Sequence, residues 1–445
     1  MVVIFITCLL LLDEINQQTL SRRFKDKMAI PGVTTLIRDR FYSISRQETP
    51  TGPKIVAIAK RGETATDSSR VQDLDIVQAT TEKDVIDVFG EASDLHKAFL
   101  ELVASGAQRI FLVPLPADTE FSDTAGTISS DSYGESSAEL LSAAFAAAES
   151  VLPDIIVPWG RGGNSSDWDG TATPNTDTFG FHADNSTTLN NSWIKKIGEK
   201  VKEISENTHP CIAVLGIAPY DSSSNESMTP AQVSTHLAMS TLVSKELSGI
   251  KDYGPYVVVI AAEMKPTGYV SKDGVDFGYS NGACATASAI SRLSSYSAIT
   301  NKPAYNVQSL RYVPTRTLQE TLAGKGVNTL VLNFNKIAVF GDGVTFANAT
   351  SDFLRLSTKR IVDEAANLVR QATNKFVGEA STVQMRNSME TAISSALRGM
   401  QLLGAVLESD FNVTYIPNEN KAIVDLILTP AFELKSIQVQ IAINV

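Results

Sequence analysis

Cysteine is scarce in this chain: there are three, Cys8, Cys211 and Cys284, each far from the others. That spacing excludes a disulfide framework and a clustered thiolate metal site, and it fits folding in a reducing cytoplasm. Histidine is nearly as rare, with His96, His182, His209 and His236 spread over the middle of the sequence. No two of them stand at metal-ligand or nucleophile–base spacing, so structural or surface roles are expected. Positive charge is in deficit, 38 Lys and Arg against 49 Asp and Glu for a formal charge of −11. A phosphate backbone needs a basic stripe, so nucleic acid is excluded as a direct partner. Long apolar runs are missing too. Val2 to Leu12 stops at Asp13 and Glu14, far short of the roughly 20 residues of a membrane helix. It has neither the preceding positive charge nor the small-residue cleavage site of a signal peptide, so no membrane insertion is expected.

What is present is apolar substance, 43% of 445 residues, enough for two or three domains with cores of their own. Met28-Ala-Ile-Pro-Gly-Val33 reads as a natural start, which makes 1–27 a leader outside the functional chain. Residues 28–50 form an N-terminal arm: Val33 to Gln47 offers little core and is closed by turn chemistry at Thr49-Pro-Thr-Gly-Pro53.

From 51 to 322 short apolar strands alternate with helical segments, the rhythm of an α/β domain. Strands are expected at Lys54–Ala59, Arg109–Val113, Asp154–Val157, Cys211–Ile217 and Tyr256–Ala261. Helices are expected around Asp84–Phe89, Asp94–Ser105, Ser137–Ser150, Ile194–Ile204 and Pro230–Leu247. Trp159 to Asn191, dense in Gly, Asp, Asn, Ser and Thr, has the composition of a loop-rich insertion.

Residues 323–445 read as a second domain. Strands at Thr329–Asn333 and Lys336–Phe340 and a Gly341-Asp-Gly343 turn precede two long helices. The first stacks Leu354, Ile361, Ala365, Leu368, Ala372 and Phe376 and stops at Gly378. The second opens with a capping box at Ser381-Thr-Val-Gln384 and stacks Met385, Met389, Ile393, Ala396, Met400, Leu403 and Leu407. The closing arm, 432–445, ends in Ile437-Gln-Val-Gln-Ile-Ala-Ile-Asn-Val445, which alternates with period two to the last residue. A strand so regular, with no charge or proline to blunt it, requires a partner sheet. The fold class is therefore α/β (α+β), an α/β domain plus a second domain of two long helices on a small sheet, with extended arms; which is outer and which inner is given by the resemblance described below, 51–322 outer and 323–445 inner.

Four segments resemble chemical motifs and fail on context. Trp159-Gly-Arg161-Gly-Gly163 lacks the closing Gly-Lys-Ser/Thr of a phosphate loop, and Ala323-Gly-Lys325-Gly326 leads into a strand, leaving no helix N-terminus for an anion. Asp167-Trp-Asp169-Gly170 lacks the remaining ligands of a calcium loop. Asn281-Gly-Ala-Cys284 opens a run of small residues suited to a close helix contact, with no histidine near Cys284 in sequence. No residue is assigned a catalytic, cofactor-binding or metal-ligating role, and no cofactor is expected.

The order of elements in the last third resembles the C-terminal region of contractile tail sheath proteins, a family shared by contractile phages, phage-tail-like bacteriocins and type VI secretion systems. The resemblance rests on Gly341-Asp-Gly343-Val-Thr-Phe346, Phe353-Leu-Arg-Leu-Ser-Thr-Lys-Arg360, Arg398-Gly-Met-Gln-Leu-Leu-Gly-Ala405, Phe411-Asn-Val413 and Phe432-Glu-Leu-Lys-Ser-Ile437, with Ala29-Ile-Pro-Gly-Val33 at the other end. The Gly341 turn departs from the aromatic or Arg-Thr-rich stretch often found there. The resemblance implies a non-enzymatic subunit that polymerises helically, in stacked hexameric rings, around an inner tube and contracts to drive the tube through a host envelope. It implies arm strands exchanged between neighbours, here Val33, Leu36, Ile37 and Phe41 at one end and Ile437, Val439, Ile441, Ile443 and Val445 at the other. The implied partners are further copies of the chain, a tail tube protein, a baseplate and a tail terminator; the implied location is a virion tail assembled in the host cytoplasm. A secretion-system or bacteriocin sheath is the nearest alternative, and an α/β nucleotide-using enzyme, supported by the alternating middle alone, the more distant one.

Overall fold

Five segments of this chain are apolar at nearly every position: Ile55–Ala59, Ile110–Leu115, Ile155–Val157, Ile212–Leu215 and Val257–Ala261, and almost all of these side chains are buried. A strand apolar on both faces is stable only when both faces are covered, which is the condition of a parallel sheet sandwiched by helices. The computed structural model describes residues 42–43, 52–62, 71–116, 123–124, 127–128, 137–159, 193–217, 252–271, 274, 276–311, 313–416, 421–431 and 433.

Along the chain, β1 (Tyr42–Ser43), β2 (Lys54–Lys60) and β3 (Val77–Ala79) precede helices α1 (Glu82–Phe89) and α2 (Asp94–Ala104). Next come β4 (Arg109–Leu115), the small strands β5 (Asp123–Thr124) and β6 (Thr127–Ile128), α3 (Ser137–Glu149), β7 (Ile155–Pro158), α4 (Trp193–Asn207) and β8 (Ile212–Ile217). They are followed by β9 (Val257–Ala261), β10 (Met264–Pro266), α5 (Ala283–Arg292), β11 (Val307–Leu310), α6 (Arg316–Ala323), β12 (Val327–Leu332) and β13 (Ala338–Phe340). The chain then forms α7 (Leu356–Asn374), α8 (Val383–Leu402), β14 (Val406–Ile416) and β15 (Lys421–Pro430).

Nine strands make one sheet in the order β1-β3-β4-β2-β7-β8-β9-β12-β13. The run from β4 to β12 is parallel, with Ile55 opposite both Ile110 and Ile155, and Val259 opposite both Leu215 and Val327. Strand order reverses between β2 and β7, which makes the sheet doubly wound. Alternation sorts the two faces. Ile55, Ala57 and Ala59 meet α1, α2 and α5, while Val56 and Ile58 meet α3, α4 and α6.

The expected α/β alternation is thus present, with one reassignment. β12 and β13 were expected to open the inner domain, yet β12 pairs with β9 and β13 pairs with β12, so both extend the large sheet. The physical reason is burial: Val327–Leu330 is buried throughout, as an internal parallel strand must be. Gly326 makes the entry to β12 possible, with φ +78° and backbone so near that a Cβ would lie 2.7 Å from the Thr345 carbonyl oxygen.

The second unit packs α7, α8 and the antiparallel β14–β15 hairpin around Ile361, Ala365, Val369, Met389, Ile393, Leu397 and Met400. Several sequence assignments shift here. The N-cap of α8 is Thr382, whose hydroxyl accepts from the Met385 N–H at 3.2 Å; Ser381 instead accepts from Arg386. Helix α8 ends at Leu402, which leaves Leu403 and Leu407 exposed at 63% and 59% rather than on its buried stripe. Helix α7 ends at Asn374, four residues before Gly378, whose φ of +89° belongs to the following turn. The Pro230–Leu247 helix, the leader, and both arms except Tyr42–Ser43 and Glu433 lie outside the described residues.

Met400 is 1% exposed in the centre of this small core. Met400→Asp places an unpaired charge there, so a loss of about 3–5 kcal/mol is expected. Thermal denaturation checks it; an unchanged midpoint would contradict the packing described.

Candidate assembly surfaces

In doubly wound sheets ligands bind outside the carboxyl ends of the strands at the reversal point, here between β2 and β7. That place is filled by side chains. Trp159, immediately after β7, continues the ladder through its N–H to the Ile58 carbonyl at 2.8 Å and is 2% exposed. Its indole N–H donates to Glu101 Oε2 at 3.2 Å, the Ser280 hydroxyl donates to the same oxygen, and the Ala285 N–H donates to Oε1 at 2.9 Å. Asn281 lies so close to β8 that a Cβ at Gly216 would stand 2.3 Å from its Cγ.

Glu101 therefore caps helix α5, whose N-cap residue, Gly282, has no side chain to do so. Burial pushes its carboxyl above the usual range, against the pull of its four donors, Ser280, Ala285, Trp159 and Cys284. Its oxygens are committed to these donors, which makes it a strut rather than a base. Cys284 is fully buried beside it, and burial pushes its thiol far above the ordinary value, the opposite of an activated nucleophile. Trp159, expected at the edge of an exposed insertion, is core; the remainder of that insertion, with Arg161, Asp167, Asp169 and His182, lies outside the described residues.

The other expected positions separate in the same way. Val33, Leu36, Ile37, Phe41, Ile437, Val439, Ile441, Ile443, Val445, His236 and Cys8 lie outside the described residues. His96 is buried, held by the Glu91 carbonyl oxygen at 2.7 Å and standing edge-on to Phe277. His209 contacts Asp154 at 3.1 Å. Lys325 sits in the turn between α6 and β12, where partial burial lowers its pKa. Among the described residues no group of three or more His, Cys, Asp or Glu is placed to hold a metal, and no helix is long and apolar enough to cross a membrane.

The joint between the large sheet and the helix pair was not anticipated. Arg360 of α7 is partly buried and donates to the carbonyls of Leu293 at 2.6 Å and Ser294 at 3.0 Å, just past the end of α5. Arg370, nearly three turns along α7, donates to Ser205 at 3.1 Å and Glu206 at 2.7 Å, at the end of α4. Each guanidinium satisfies orphan carbonyls at a helix C-terminus, where the helix dipole also favours a cation. Burial brings Arg360 down to about 10. Lys359 pairs with Asp363 and lies 4.2 Å from the Tyr256 ring centroid. Between these elements is a cavity of about 310 Å³ lined by Asp154, His209, Cys211, Arg360, Asp363 and Glu364 among others. Only the period of arginines on the outward side of a strongly amphipathic helix could have pointed to this joint in the sequence.

The β14–β15 hairpin is the exposed face of the second unit. Its ladder runs from Val406 opposite Pro430 to Ile416 opposite Lys421. Phe411, Val413, Tyr415, Val424, Leu426 and Leu428 pack inward on the helices. Among the described residues neither strand has a second neighbour, so both long edges present unpaired N–H and C=O groups.

The fold, a large doubly wound sheet with a helix pair and a hairpin, is similar to that of solved contractile sheath proteins. The chain is similar to the anti-feeding prophage helical sheath in its contracted state, at 14% identity and TM-score 0.55, over 93% of this chain and 99% of that one. It is similar to the sheath of the extracellular contractile injection system PVC, also contracted, at 12% identity and TM-score 0.56, over 93% and 98% of the two chains. It is likewise similar to a sheath tail protein of Listeria innocua, at 11% identity and TM-score 0.53, over 86% and 93%. No family model matches the chain, and no curated protein matches it in sequence.

Glu101→Gln retains one acceptor but turns an amide N–H₂ toward donors that need an acceptor. A stability loss of about 1–3 kcal/mol is expected in denaturant unfolding; a variant as stable as the parent would remove Glu101 from its capping role.

Proposed function

We propose that this chain is the structural subunit of a contractile sheath, polymerising helically around an inner tube and driving it through a target envelope on contraction. The observation that carries the reading is the β14–β15 hairpin, seated on two helices with neither edge paired among the described residues. Such a hairpin is a ready acceptor for strands added by other chains. The segment from Ile437 to Val445, alternating without interruption, is the donor this reading assigns to a neighbouring subunit. Val33, Leu36, Ile37 and Phe41 in the 28–50 arm join the same mesh. Main-chain hydrogen bonds then hold neighbours together while the domains outside them rotate. A head-to-tail contact that does not close into a ring propagates as a helix, so one interface repeated builds the tube.

In this reading 51–322 faces outward and 323–445 faces the tube, although β12 and β13 belong to the outer sheet. The rings stack as hexamers, and the tube protein, baseplate and terminator complete the particle, built in the host cytoplasm as a virion tail or as the sheath of an injection system. Work comes from repacked interfaces, from an extended lattice held behind a kinetic barrier. The competing enzyme reading loses support at the filled crevice between β2 and β7. Nucleotide turnover by the purified assembly, abolished by Lys325→Ala, would reinstate it.

Deleting Ser436 to Val445 is expected to leave a folded, soluble monomer that forms no tubes, because the described helix pair, hairpin and large sheet all lie outside the deleted segment. Electron microscopy with analytical centrifugation checks it. Tubes of normal length from the truncated chain would overturn strand exchange.

A further inference from the structure

The β12–β13 turn carries the most exposed large apolar side chain among the described residues. Phe334 is 107% exposed, flanked by Leu332 at 45% and Ile337 at 46%. The turn that displays it is held firmly. The Asn333 side-chain oxygen accepts from the N–H groups of Asn335 at 2.9 Å and Ile337 at 3.0 Å, and the Lys336 N–H donates to the Asn333 carbonyl at 2.9 Å. An aromatic ring held in water on a rigid tip is costly in solvent and needs little further ordering to bind, which is the signature of an interface anchor. The tip's charge is positive, from Lys336.

On the other unit, a groove of about 370 Å³ lies where the β14–β15 hairpin meets the end of α8, lined by Gln401, Glu408, Ser409, Asp410, Ile427 and Thr429. Its apolar lining side chain, Ile427, is 68% exposed, and Leu402 and Leu407, exposed at 82% and 59%, are the chain neighbours of Gln401 and Glu408, with Leu403 at 63% between them. An exposed isoleucine beside two carboxylates, with exposed leucines next to it in the chain, is the complement of an apolar tip carrying a lysine.

We propose that the Phe334 tip of one copy docks in the Glu408–Asp410–Ile427 groove of the next. Knob and groove are different surfaces of one chain, so the contact is head-to-tail and open-ended, the geometry that extends a polymer instead of closing a dimer. The inference rests on the assembling-subunit reading but not on strand exchange. The two act together, with backbone pairing supplying tenacity and the aromatic anchor setting the angle at which the next copy sits.

The test is the critical concentration for tube formation by the full chain, measured by sedimentation with electron microscopy. Phe334→Ser is expected to raise it about tenfold or more, the scale of losing a buried aromatic anchor, with an unchanged melting temperature because the side chain is exposed. Lys336→Glu should raise it too, and Lys336→Glu combined with Asp410→Lys should recover much of the loss. Assembly of Phe334→Ser and Lys336→Glu at the parent concentration overturns the contact while leaving the sheath reading intact. Variant sheaths that form normally but no longer hold the inner tube overturn it in favour of a tube-facing tip. A parent chain that never polymerises overturns both readings together.

Discussion

Backbone hydrogen bonds must be completed wherever a sheet ends, and the two sheets of this chain end in opposite ways. The large sheet tapers to very short strands, β1 having two residues and β13 three, so little main chain is left open at its margins. The small sheet has two strands among the described residues, each of about ten residues. A lone hairpin of that length is barely stable in water and owes its order to the helices beneath it. The first sheet is large and closed at both margins by short strands; the second, among the described residues, leaves two long edges open. The proposed strand exchange follows from that asymmetry.

Helix α7 ties the two together. It belongs to the small core through Ile361, Ala365 and Val369, and to the large domain through Arg360 and Arg370, which reach the ends of α5 and α4. Two anchor points well apart on one helix fix its direction as well as its position. Glu101 stiffens the other end of α5. The helix that receives Arg360 at its C-terminus is thus the one capped by a buried carboxylate at its N-terminus.

Much of the fold was legible because it was periodic. Strands such as Val257–Ala261 are apolar at every step, and the α8 stripe through Met389, Ile393 and Met400 repeats at helical spacing, so composition alone located them. What was misread depended on partners remote in sequence. The apolar run at Val327 is the same whether it opens a new domain or joins β9, 66 or more residues earlier; only the pairing of Val327 with Val259 decides. Trp159 looks like the first residue of a polar loop until Glu101 is placed beside it. The burial of Cys284 against Glu101, which raises its thiol far above the ordinary value, was not legible in the sequence. The arm strands named from the resemblance remain a reading of pattern, and the hairpin they are assigned to emerged only from the ladder of β14 and β15.

The contacts at the domain joint are made mainly to main-chain carbonyls rather than to carboxylates. A guanidinium bonded to a peptide oxygen has no partner in that bond that acid can protonate. An ion-pair joint would slacken in brine or at low pH. The Arg360 and Arg370 bonds keep their donors and acceptors as acids titrate, so the seating of α7 on the ends of α5 and α4 depends little on pH.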